Sequence, residues 1–181
     1  MNWDERFLHL VSERFDYLVD EFGFLKQATY RIGDNGQEGF LVCSYVLRSQ
    51  PCVAVLVVFD TVEFNVNVIV KRLPKGHAET TLYDRADALH LSALVVWKSG
   101  SDLLDDIPFP QRKPKMTAKE LDRYLKEERI VFEKHFEEII SRFAVALRKF
   151  GVRFLRGDTK EFDLVVDFAK KRAAEEMRLR R

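Results

Sequence analysis

Only two cysteines, Cys43 and Cys52, occur in 181 residues. That excludes the disulfide framework that staples small secreted domains. If Ser49-Gln50 turns a hairpin, Leu47 falls opposite Cys52 and Cys43 opposite Leu56. The two thiols are then too far apart to bridge. The expectation is two reduced, buried thiols and a cytoplasmic location. No run reaches the ~18 apolar residues of a membrane span. The longest, Val53–Phe59, is strand-sized. Met1-Asn2-Trp3-Asp4-Glu5 has neither the basic start nor the apolar stretch of a signal peptide, so none is expected. The formal net charge is +1, so no global field draws the chain to nucleic acid or to a lipid surface.

Catalytic signatures are equally scarce. Ser44 and Ser92 lack the Gly-x-Ser-x-Gly context of a nucleophile elbow. Gly33-Asp34-Asn35-Gly36 reads as a turn and lacks the Lys-Ser/Thr ending of a phosphate loop. His9, His77, His90 and His135 offer no i,i+4 pair able to share a metal from one helix face. Asp60, Glu63 and Lys71 follow the acid-then-lysine order of metal-dependent nucleases. The position two before the lysine is Ile69, where that chemistry needs a carboxylate, so the two acids read as turn residues. No resident cofactor and no metal are expected, and no internal repeat or low-complexity tract is present.

What is present is a set of four strand-like runs between helical ends: Leu25–Ile32, Phe40–Arg48, Cys52–Asp60 and Phe64–Lys71. Val53–Phe59 is apolar at every position, which predicts a central strand covered on both faces. The run after it alternates Phe64, Val66, Val68 and Val70 with Asn65, Asn67 and Lys71. That pattern predicts one exposed face or a place near an edge. Short connections favour an antiparallel meander. Before the strands, Trp3, Phe7, Leu10, Val11, Leu18, Val19 and Phe22 recur at helical spacing, predicting a helix over about 3–22 that stops at Gly23.

After the strands, Asp84 is placed to cap a helix over about 85–98. Ser99–Lys115, with Gly100, Pro108, Pro110 and Pro114, reads as a linker. Thr117-Ala118-Lys119-Glu120 matches a capping box before a long helix to about Phe150, stopped by Gly151. Asp158-Thr159-Lys160-Glu161 resembles a second box, opening a last helix. The predicted class is α+β: an N-terminal helix, a four-stranded antiparallel meander, a further helix and two C-terminal helices. Residues 1–181 are read as a single domain.

Three stretches carry a resemblance: the helix end Phe15–Phe24 with its Gly-Phe, the strand Val53–Asp60, and Phe154-Leu155-Arg156-Gly157-Asp158. In this order they resemble small bacterial cytoplasmic proteins, some of them grouped with immunity proteins of polymorphic toxin systems. The resemblance implies a helix leading into strands that close over it, and a toxin-like protein partner. It implies no particular functional residue.

The leading functional expectation is therefore a non-enzymatic cytoplasmic protein-binding domain. Its candidate contact residues are Asp102, Leu103, Leu104, Asp105, Asp106 and Phe109 in the linker. Apolar residues ringed by acids suit a basic partner, if they are exposed. The competing expectation is a metal-dependent hydrolase built from His77, Asp84, Asp87 and His90. A third is a nucleic-acid contact through the basic end, where Lys170, Lys171, Arg172, Arg178, Arg180 and Arg181 stand against Glu175 and Glu176. No aromatic residue interleaves with those charges, and basic residues also complement a helix C-terminus. Nucleic acid is therefore not the expected partner.

Overall fold

The structure is a computed structural model describing residues 2–27, 29–32, 39–47, 53–74, 87–113 and 115–179, with backbone only at 176 and 179. Its first helix, α1 (Trp3–Phe15), begins on a capping box that sequence inspection missed. Asn2 Oδ1 accepts the Glu5 N–H at 2.8 Å, and Glu5 Oε2 accepts the Asn2 N–H at 3.1 Å. The expected single helix to residue 22 is broken at Asp16, and a short α2 (Tyr17–Asp20) follows. Gly23 ends it as expected, at φ +70°, a conformation that suits glycine.

The predicted first strand is split. β1 (Leu25–Lys26) and β2 (Tyr30–Ile32) both pair with β3 (Phe40–Leu47). Lys26 lies opposite Tyr45 and Tyr30 opposite Val42, so one strand takes four steps where the other takes three. That is a bulge at the sheet edge, a common device against edge-to-edge pairing. Gln27 sits in it, donating its N–H to the Ser44 carbonyl at 2.8 Å and accepting from Ser44 Oγ at 3.0 Å.

β4 (Val53–Asp60), β5 (Asn65–Arg72) and β6 (Ala88–His90) complete an antiparallel sheet in sequence order. β4 is central, and Val53 to Phe59 are all buried. The β3–β4 register differs by one from the expected one: Leu47 faces Val53 and Cys43 faces Val57. A one-residue slip would turn every β4 side chain to the other face. The observed register puts Leu47 and Val53, Tyr45 and Val55, and Cys43 and Val57 together on the helix side. Cys43 is a buried free thiol, and Cys52 lies outside the described residues.

Residues 88–90, expected to be helical, form β6 instead, and α3 (Leu91–Ser99) starts later. Asp84, the expected cap, lies outside the described residues. β6 pairs Ile69–Lys71, so β5 is covered where an edge was expected, and Lys71 is only 2% exposed. The described helices pack on one face of the sheet. On the other face, Val42, Leu56, Val58 and Ile69 form one cluster and Val46, Ala54 and Leu73 another, and among the described residues no helix residue joins either.

α4 (Ala118–Phe150) is the longest element, opened by the expected Thr117–Glu120 capping box. It ends at Gly151, where a Cβ would sit 2.7 Å from the Leu147 carbonyl oxygen. A short α5 (Val152–Leu155) then precedes α6 (Phe162–Leu179). Asp158 Oδ1 accepts the Lys160 N–H at 3.2 Å, but the Glu161 carboxylate goes to Lys98 and Arg153 instead of closing a box.

One core residue is poorly satisfied. Tyr45 is fully buried, and its hydroxyl has no hydrogen-bond partner among the described residues. Burial pushes the phenol above its usual range. Tyr45→Phe removes only that hydroxyl, so it is expected to be neutral or to stabilise by up to about 1 kcal/mol. A fall in the urea midpoint equivalent to more than about 1 kcal/mol would count against an orphaned hydroxyl.

Candidate partner-binding groove

α4 is much longer than the sheet beneath it. At 1.5 Å per residue its 33 residues span about 50 Å, against about 27 Å for the eight-residue β4. The excess lies at the N-terminal end. From Ala118 to Val131 no residue is buried, and Phe132 is the first that is. The overhang holds its helical form through i,i+4 ion pairs: Arg123–Glu127 at 2.8 Å, Lys126–Asp122 at 2.8 Å and Arg129–Glu133 at 2.9 Å. Leu121 and Leu125 continue the Phe132–Phe136 stripe past the core, leaving Leu125 52% exposed.

Facing this stripe is the β4–β5 turn. Asp60 Oδ1 accepts the N–H groups of Val62 and Glu63 at 2.9 and 3.0 Å, the role expected of a turn acid. Val62 points out and is 57% exposed. Phe64 adopts φ +50°, a strained conformation for a bulky residue. Aromatic packing holds it there: Trp3 lies edge-on at 5.7 Å, Phe132 at 6.1 Å, and the Arg129 guanidinium covers its ring at 4.0 Å.

The third wall is the irregular segment 101–113, which runs beside α4 as a strap. Arg142 ties it down, donating to the Leu103 carbonyl at 3.2 Å and to both carboxylate oxygens of Asp106, one of them at 2.8 Å. This pairing holds the Asp106 carboxyl below its usual range. Together the overhang, the turn and the strap enclose an open groove of ≈ 680 Å³. Its apolar lining includes Val62, Phe64, Leu104, Phe109 and Leu125. Its charges balance: Glu63, Asp122 and Glu128 against Arg112, Lys126 and Arg129.

The six linker residues singled out in the sequence are divided by this geometry. Leu103, Leu104 and Phe109 pack partly against the core, and Leu104 and Phe109 also show a side to the groove. Asp106 is engaged with Arg142. Asp102 and Asp105 lie on a second, shallower pocket with Phe168 and Lys171, and Asp105 Oδ2 accepts the Asp102 N–H at 2.9 Å. The acids therefore do not ring the apolar side chains.

Of the hydrolase set, Asp87 and His90 turn to opposite faces of the sheet. Asp87 pairs with Arg72 at 3.4 Å on the helix side, beside Asp163. His90 lies opposite Ile69 on the other face, where lost solvation pushes its imidazole below the usual range. His77 and Asp84 lie outside the described residues, among which no three potential metal ligands cluster. In the basic end, Lys170, Lys171 and Arg178 are exposed and Arg172 is half-buried; Arg180 and Arg181 lie outside the described residues. No described helix is long and apolar enough to cross a membrane.

Sequence inspection missed the groove. Its signal is there in part, as an apolar stripe that begins at Leu121, well before the first buried residue of α4. No protein-family model, curated protein or solved structure matches this chain.

Proposed function

We propose that this protein acts by binding another polypeptide chain, without catalysis of its own, and that the groove beside the α4 overhang is the contact surface. One observation carries the reading: Leu125 and Val62, 52% and 57% exposed, line one preformed groove together with Phe64, Leu104 and Phe109. Helix-lined grooves of this kind recur in peptide recognition. Aromatic packing and the Arg142 clamp fix its walls, so little ordering cost is left for binding. In this reading the setting is the bacterial cytoplasm, and the resemblance to immunity proteins favours toxin neutralisation as the role.

The test is site-specific photo-cross-linking in living cells. A photoreactive residue at Leu125 or Val62 is expected to capture a discrete protein chain. The same residue at Val145 or Leu164, also exposed but outside the groove lining, is expected to capture none. Equal labelling from all four positions, or none from the groove pair, would remove the groove as the contact surface.

A further inference from the structure

We infer that the chain seated in the groove is a second copy of this protein, two α4 overhangs packing antiparallel about a two-fold axis. The inference rests on the reading of the groove as a polypeptide-binding surface, and it puts a second copy there in place of a toxin. Each copy carries the exposed Leu125, one helical turn after the half-buried Leu121, in the same groove as Val62, Phe64 and Phe109. Stripe and groove belong to one patch. A two-fold pairing lays the stripe of each copy into the groove of the other, and the contact closes with no stripe left over.

The charges fit the same occupant. An isologous contact sets every patch against itself, so a patch rich in one sign repels its own copy. The overhang avoids this: Lys119, Arg123, Lys126 and Arg129 stand against Glu120, Asp122, Glu127 and Glu128. The groove walls are balanced in the same way. A surface evolved for a strongly basic or acidic partner would carry the opposite excess. Three pairs, Arg123–Glu127, Lys126–Asp122 and Arg129–Glu133, are already made along the helix, so a second copy need not supply partners for those charges.

Sedimentation equilibrium of the full chain, from low to high micromolar concentration, tests this. The wild type is expected to approach twice its 21.2 kDa. Leu121→Lys/Leu125→Lys is expected to stay monomeric with its helical signal retained, because both positions lie on the unburied overhang. Val145→Lys, on an exposed position elsewhere on α4, is expected to dimerise as the wild type does. Leu121→Cys/Leu125→Cys gives an independent readout, a reducible covalent dimer under mild oxidant that neither the wild type nor Val145→Cys forms. A wild-type mass of 21.2 kDa throughout overturns the second copy. A dimer that survives both lysines, or the absence of the covalent dimer, overturns it as well. In those cases the cross-linking experiment separates the two ideas: a different chain captured from Leu125 keeps the groove as a binding surface, and no capture at all sinks both.

Discussion

Val57→Asp is expected to leave the protein largely unfolded at room temperature. Val57 is fully buried at the middle of β4, facing Cys43 on one neighbour and Val68 on the other. It points into the helix-side core, among apolar side chains. A carboxylate there finds no cation and has to remain protonated or drag in water. Either way the cost is about 4 kcal/mol or more, against a total stability of about 5–15 kcal/mol for a domain of this kind. Val55→Asp, two residues away on the same face and also fully buried, is expected to behave alike. Urea unfolding followed by far-UV circular dichroism measures both. Parental midpoints in the two variants would mean that β4 is not the centre of the sheet.

The same strand shows what a sequence declares about its fold. β4 is legible because its signal is local: seven apolar residues in a row have no exposed face to offer. The Thr117 capping box and the stops at Gly23 and Gly151 are legible for the same reason, since neighbouring residues satisfy or block the backbone. β6 is not legible. Its three residues continue without interruption into the apolar α3, and only the distant β5 makes them a strand. The bulge between β1 and β2 depends likewise on the position of β3, and the β3–β4 register on which side chains meet across the two strands. The candidate site follows this rule. Leu104 and Phe109 were found because they stand out from a polar linker. Val62 and Leu125 were not, since a groove is a relation between a helix and the sheet it outruns.

That relation makes a second large effect predictable. Phe136→Ala is expected to cost about 3–5 kcal/mol, while Leu125→Ala, on the same stripe of the same helix, changes stability by no more than about 0.5 kcal/mol. Phe136 is fully buried, with Trp3 edge-on at 5.0 Å, Phe132 at 5.3 Å, Phe59 at 5.5 Å and the Arg6 guanidinium over its ring at 5.3 Å. It joins α1, β4 and α4 at one point, and truncating it leaves a cavity that rigid aromatic neighbours fill poorly. Leu125 is 52% exposed, and the helix around it is held by its own ion pairs. Denaturant unfolding of the two variants, at protein concentrations low enough to suppress association, gives the comparison. The near-ultraviolet signal of Trp3, packed on Phe136 and on Phe64 in the groove wall, reports whether the change at position 136 reaches the groove. If Leu125→Ala costs as much as Phe136→Ala, the N-terminal half of α4 belongs to the core of the single chain. The groove would then have no free apolar wall to offer a partner. A large cost at 136 with almost none at 125 places the boundary between core and overhang within three turns of one helix, and leaves Leu125 exposed for binding rather than for folding.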